Sequence, residues 1–209
     1  MHRKQLYLQI LSNLIIPVLG FFWWGWNLYF ILLFFMLDMV SSEIVHHLKV
    51  RKIKASQQTE SLLIATPTTT YTMVSLLFLL FTLLIINFGM QLYQPTIDLK
   101  QEIWSFLSYK EMGIPQGIIL LPLIGLMAFM QYKTEFVLPK LHLKQLEKPL
   151  WKQHIKERFL LISFSAILLF IASGYGFPEW VVLTIILVFT TLYTYLQGIE
   201  RIKQMMSNP

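Results

Sequence analysis

The most constraining feature of this chain is a set of six segments, each at least 17 residues long and composed almost entirely of apolar residues. The hydrocarbon core of a bilayer is about 30 Å thick, and a helix crosses it with about 20 mostly apolar residues. Because unpaired backbone groups are not tolerated in hydrocarbon, and no segment alternates like a barrel strand, each span is expected to be helical. The predicted spans are 8–24, 28–45, 71–88, 114–130, 159–175 and 180–196.

The composition supports the same class. Of the 209 residues, 56% are hydrophobic and only 13% are charged, whereas soluble domains are about 45–50% apolar and about 25% charged. The chain has no cysteine, which excludes disulfides, thiolate metal ligands and a cysteine nucleophile. A soluble nucleic-acid-binding protein and a secreted disulfide-rich protein are therefore excluded.

The distribution of lysine and arginine predicts the orientation. The two termini and the connections 46–70 and 131–158 carry 15 of the 17 basic residues, and the connection 89–113 carries the other two. Since basic connections remain in the cytoplasm, both termini are predicted to be cytoplasmic. This asymmetry explains the net charge of +6 without a nucleic-acid partner. The sequence thus predicts one all-α transmembrane domain, 1–209, at the cell membrane, with six helices in a bundle.

Two connections have distinctive patterns. The segment 97–110 mixes apolar and charged residues, which favours a short helix in the membrane interface. The connection 131–158 is predicted to be a basic cytoplasmic loop, broken into short pieces by Pro139 and Pro149. Its lysines recur at every fourth residue, at Lys140, Lys144, Lys148, Lys152 and Lys156. They indicate either a site for anionic lipid or an acidic partner, or an ordinary loop that fixes the topology.

Glycine residues within the spans predict where helices approach each other closely, because glycine has no side chain to separate the two backbones. Such glycines are Gly20, Gly117 and Gly125.

The second span contains the acidic residues that most restrict its environment. Asp38 lies ten residues beyond Leu28, about 15 Å into the membrane, and Glu43 lies about 7 Å further along. A carboxylate at this depth costs about 2.5–3.5 kcal/mol on insertion scales and so usually has a partner or a function. With about 100° per residue, the neighbouring polar side chains share one half of the helix with Asp38: Ser42, Glu43, His46 and His47.

Three interpretations of this polar half remain open. It could line a cavity that takes up a proton, a cation or the polar end of a small molecule. It could form a metal site, because Glu43 and His46 have the Glu-x-x-His spacing and His154 and Glu157 could supply further ligands. In the third interpretation Asp38 hydrogen-bonds to another helix, while Glu43 and the histidines lie at the wet headgroup level.

The first hairpin resembles a family of uncharacterised bacterial multi-spanning membrane proteins. The resemblance is carried by Asn-Leu-Ile-Ile-Pro-Val-Leu-Gly at 13–20, by the Trp-Gly-Trp-Asn turn at 24–27, and by Asp38. It covers about the first 45 residues. Phe35 and Met36 stand where the family has an aromatic pair before the acidic residue. The resemblance implies a membrane bundle and directs attention to Asp38.

The expected function is a polar cavity on the second span that binds or passes a small solute, a proton or a lipid. The alternative is an accessory or scaffold subunit of a larger membrane complex, with a membrane protein or a second copy of the chain as its partner. A membrane-embedded metal-dependent enzyme is the second alternative.

Overall fold

The structure is a computed structural model that describes residues 3–57, 68–108, 116–143 and 147–207. Within these ranges the regular secondary structure is helical, which confirms the predicted all-α class. The α-helices are α1 (Arg3–Trp23), α2 (Leu28–Gln57), α3 (Thr68–Tyr93), α4 (Leu99–Ser108), α5 (Gln116–Tyr132), α6 (Glu147–Tyr175) and α7 (Glu179–Ser207).

Four of these helices are long and apolar enough to cross a membrane. The qualifying stretches are Leu28–Ser56, Tyr71–Tyr93, Pro149–Tyr175 and Glu179–Leu196, in α2, α3, α6 and α7. The other two predicted spans are also helical and correspond to α1 and α5. Both are shorter than the four long apolar stretches: α5 has 17 residues, and the apolar stretch of α1 is Leu14–Trp23.

The segment 131–158 is not the continuous loop that the sequence predicts. A π-helical turn, Lys133–Val137, prolongs α5, a 3-10 turn follows at Leu141–Leu143, and α6 begins at Glu147. Pro149 does not break this segment, because it lies in the first turn of α6, where its missing N–H would have no helical acceptor. The chain bends at residues 138–140 instead.

The central helix is α2. Of its most apolar stretch 56% is buried, compared with 22–28% in α3, α6 and α7. Its first two turns are enclosed by α3, α4, α6 and α7 in one apolar core, and its later turns pack with the end of α5 in a second cluster that includes Ile53 and Phe136. Polar groups on α2 therefore need partners within the protein along much of its length.

The buried start of α2 is capped from two directions. The Asn27 side chain accepts a hydrogen bond from the Phe30 N–H (2.8 Å), and Glu179 at the start of α7 accepts one from the Leu28 N–H (3.1 Å). Gln94, just after α3, donates to the other carboxylate oxygen of Glu179. Because the first N–H groups of a helix have no intrahelical acceptor, these contacts satisfy donors that would otherwise be buried unpaired.

The glycines singled out in the sequence differ in their surroundings. A Cβ atom added at Gly20 would lie 2.2 Å from Cε3 of Trp26, so the chain does pack closely there. At Gly125 a Cβ atom would meet nothing within 4 Å, so the predicted close approach is wrong for this residue. The surroundings of Gly117 lie outside the described residues.

A close approach that the sequence analysis missed is at Gly89, where α3 packs on α6. A Cβ atom at this position would lie 2.6 Å from Cδ1 and 2.9 Å from Cβ of Leu169. The second distance involves an atom fixed to the backbone of α6, so the two helices would have to move apart to admit a larger residue.

We expect Gly89→Ala to lower the stability of the bundle by about 1–3 kcal/mol, because the added methyl overpacks the contact between α3 and α6. Gly125→Ala is the matched control, since it adds the same methyl to open space within a helix. Thermal unfolding in mild detergent should show a lower midpoint for the first variant only. Equal midpoints would show that α3 and α6 do not meet at Gly89.

Candidate functional site

The polar groups of α2 include a buried ion pair with α6. Oε1 of Glu43 accepts hydrogen bonds from Nε of Arg158 (2.7 Å) and from Nε2 of His154 (2.8 Å). The side chains of Glu43 and Arg158 are almost completely buried. His154 and Arg158 are four residues apart, so both project from one face of α6 toward α2.

His46 completes this group, which we call the α2–α6 polar cluster (Glu43, His46, His154 and Arg158). Its ring lies parallel to that of His154, with 3.8 Å between the ring centroids and 8° between the planes. Two buried polar atoms of the cluster, Oε2 of Glu43 and Nε2 of His46, have no hydrogen-bond partner among the described residues. A buried polar atom left unpaired costs about 1–3 kcal/mol, so these two atoms favour the binding of a proton, a water molecule or a polar ligand.

Asp38 lies apart from this cluster. It precedes Glu43 by five residues, which is about 140° around the helix, and its side chain is exposed, as is that of Ser42 one turn later. Asp38 makes no ion pair among the described residues.

The predicted polar half of α2 is therefore divided among several environments. Asp38 and Ser42 are exposed, Glu43 and His46 pack against α6, and Nε2 of His47 hydrogen-bonds to Oγ1 of Thr72 on α3 (2.7 Å). These residues do not line a single continuous face.

The residues of the predicted metal site are only partly brought together. Glu43, His46 and His154 meet, but Oε1 of Glu157 is hydrogen-bonded to Gln153 on its own helix (3.0 Å). Arg158 also occupies the Glu43 oxygen that His154 shares. In the described part of the chain, no group of three histidine, cysteine or acidic side chains is arranged to hold a metal ion.

Of the five lysines of the predicted basic loop, the three whose side chains the structure describes do not form one array. Lys140 lies in the turn before α6, in a left-handed conformation with φ of 54°, whereas Lys152 and Lys156 are exposed on α6 itself. Lys144 and the side chain of Lys148 lie outside the described residues.

The pairing of Arg158 is not predicted from the sequence, in which Arg158 is one of seven basic residues of the connection 131–158. A signal for the pairing is present, however. Glu43 lies two residues before the end of the second predicted span and Arg158 lies one residue before the start of the fifth, both at the basic side of the membrane. Opposite charges at one depth on two spans favour pairing, because neither charge is stable alone in hydrocarbon.

No protein-family model matches this chain, and comparisons with curated proteins and with solved structures find no match. The resemblance of the first 45 residues to a bacterial membrane-protein family stays a prediction.

The ion pair generates a prediction of coupling between α2 and α6. Removing one partner leaves a buried charge uncompensated, so Glu43→Leu and Arg158→Met should each destabilise the protein by about 3–5 kcal/mol. The double variant removes both charges and should be more stable than either single variant. Detergent-solubilised protein unfolded by heat or denaturant provides the measurement.

Glu157→Gln is the matched control for the loss of one carboxylate, because the hydrogen bond of Glu157 among the described residues is to Gln153 on its own helix. Its effect should stay within about 0.5 kcal/mol. If the effects of Glu43→Leu and Arg158→Met simply added in the double variant, the two side chains would not be coupled.

Proposed function

We propose that this protein is a six-span integral membrane protein with cytoplasmic termini that binds a proton, or a small solute bearing one positive charge, at Asp38 beside the α2–α6 polar cluster. The observation that carries the proposal is the exposed side chain of Asp38, about one third of the way along α2, without an ion-pair partner among the described residues.

The depth of Asp38 in the membrane supports the proposal that its carboxylate binds a ligand. Ten residues of helix separate it from the start of α2 at Leu28, a rise of about 15 Å, which is half the thickness of the hydrocarbon core. An ionised carboxylate there is costly in contact with lipid alone. Water, a bound cation or a charged group of a partner protein would each remove that cost.

The charges of the ionisable side chains near Asp38 favour a positively charged ligand over an anion. With neutral histidines, the charges of Glu43 and Arg158 cancel in their ion pair, so the Asp38 carboxylate leaves this part of α2 with a net charge of −1. One bound proton or monovalent cation makes it neutral.

The position of Ser42 supports a path by which the ligand reaches Asp38 from the basic side of the membrane. It is exposed four residues beyond Asp38, on the same side of α2, and about 6 Å closer to the end of the helix that carries the basic residues. A hydroxyl at this position offers a hydrogen bond to water or to a solute on its way to Asp38.

The function depends, in this proposal, on the charge of Asp38. Asp38→Asn keeps the size and the hydrogen-bonding capacity of the side chain but cannot ionise, so it should fold normally yet fail to complement the growth phenotype of a gene deletion. Glu157→Gln, which also removes one carboxylate, should complement fully. A fully active Asp38→Asn protein with normal stability would refute binding of a proton or cation at this residue.

The absence of cysteine from the chain allows single thiols to test both the topology and the access of water to the site. In intact cells, Lys100→Cys should react with a membrane-impermeant thiol reagent and Lys52→Cys should not. In inverted vesicles, Lys52→Cys and Ser42→Cys should react, because water reaches Ser42 from the basic side. Leu80→Cys, an exposed apolar position near the middle of α3, should remain unlabelled as the lipid-facing control.

Labelling of Lys52→Cys in intact cells would overturn the proposed orientation. Protection of Ser42→Cys to the same extent as Leu80→Cys would mean that lipid or protein, and not water, covers this side of α2.

A second candidate function, an accessory subunit of a membrane complex, is favoured by the same exposure of Asp38 together with the small buried fraction, 22%, of α3 and α7. A basic side chain of a partner at the depth of Asp38 would neutralise it. In that case Ser42→Cys is protected, and Asp38→Asn loses a copurifying membrane protein at fixed stoichiometry.

A further inference from the structure

A mostly apolar groove with one lysine in its lining lies on the outer surface of α6. It is open, has a volume of about 460 Å³, and is lined by Ile155, Lys156, Phe159, Leu160 and Ser163. Phe159 and Leu160 are largely exposed. Successive residues of this set are one or three positions apart, so they form a continuous strip along one side of the helix.

The strip is separate from the α2–α6 polar cluster. Lys156 and Arg158 are two residues apart, which places them about 200° apart around α6. Arg158 is buried against Glu43, whereas Lys156 is exposed. The groove therefore faces away from α2, toward the surroundings of the bundle.

The charge of the strip is concentrated at one end. Lys152 precedes Lys156 by four residues and is also exposed, so the two ammonium groups lie one turn apart on one face of the helix. Beyond Lys156 the lining is apolar except for Ser163. Ser163 has a small side chain, which leaves room in the groove next to Phe159 and Leu160.

The dimensions of the strip fit one leaflet of a bilayer. α6 has 29 residues and is about 43 Å long, more than the hydrocarbon core, so its first turns extend into the headgroup region. Ser163 lies seven residues after Lys156, a rise of about 10 Å along the helix, which is less than the thickness of one leaflet, about 15 Å. Lysines at the boundary place their ammonium groups at the level of the lipid phosphates.

We propose that this strip binds one anionic phospholipid, with its phosphate between Lys152 and Lys156 and one acyl chain in the groove along Phe159, Leu160 and Ser163. The argument is complementarity of charge and polarity, since a phospholipid has its negative group and its apolar chain in the same order as the lysines and the apolar groove lining along α6. Two of the five lysines in the basic segment, Lys152 and Lys156, thus bind the lipid phosphate. Lys140 does not take part, because it is not on α6.

Native mass spectrometry of the detergent-purified protein, with added phosphatidylglycerol or phosphatidylcholine, tests the proposal. The unmodified chain should retain one phosphatidylglycerol and release phosphatidylcholine. Lys152→Gln with Lys156→Gln should weaken retention of phosphatidylglycerol about thirtyfold, as expected for the loss of two basic groups near an anionic lipid. Ser163→Leu, which fills the groove and leaves the charges in place, should also weaken retention.

Matched controls separate this site from general effects. Arg51→Gln with Lys52→Gln removes two exposed basic residues from α2, and Thr184→Leu adds an equal apolar side chain to an exposed position on α7. Both should retain the lipid as the unmodified chain does. Equal retention of phosphatidylcholine, or undiminished retention in the double lysine variant, would overturn the anionic site, and undiminished retention in Ser163→Leu would overturn the groove as the seat of the acyl chain.

Discussion

The buried pair of Glu43 and Arg158 is the constraint from which the other positions on α2 and α6 follow. A charge enclosed at this depth requires a counter-charge, and a shift of one residue along either helix would move it by about 1.5 Å and about 100°. The pair therefore fixes both the register and the rotation of α6 against α2. Once Arg158 faces α2, Lys156 must face outward, and once Glu43 faces α6, Asp38 must lie on another side of α2.

This rotation gives the two carboxylates of α2 different chemical roles. Glu43 is held by two donors on one oxygen and serves mainly to join helices. Asp38 has no such contact in the described part of the chain and remains available to a ligand. If Asp38 binds a ligand as proposed, two acidic residues five positions apart separate structural stability from binding, and substitutions at the two sites should have different consequences.

Much of the fold could be predicted from the sequence, but the contacts within it could not. Hydropathy locates the part of a helix in hydrocarbon and not its ends, so the polar first turns of α6, from Glu147 to Arg158, were assigned to a loop. The angular positions of Asp38 and Glu43 on α2 follow from the sequence, but the partner of Glu43 is 115 residues away. Gly89 and Gly125 look alike in sequence, because only the position of a second helix shows which of them is closely packed.

The cap that Glu179 provides for α2 connects residues 151 positions apart, and this has a consequence for biosynthesis. Helices enter the membrane in the order of their synthesis, so α2 is in the bilayer long before Glu179 has been translated. Until then the first N–H group of α2 has to be satisfied by water or by lipid headgroups. The start of α2 is therefore fully capped only after α7 has been made, so the packing at this end of the protein is completed last.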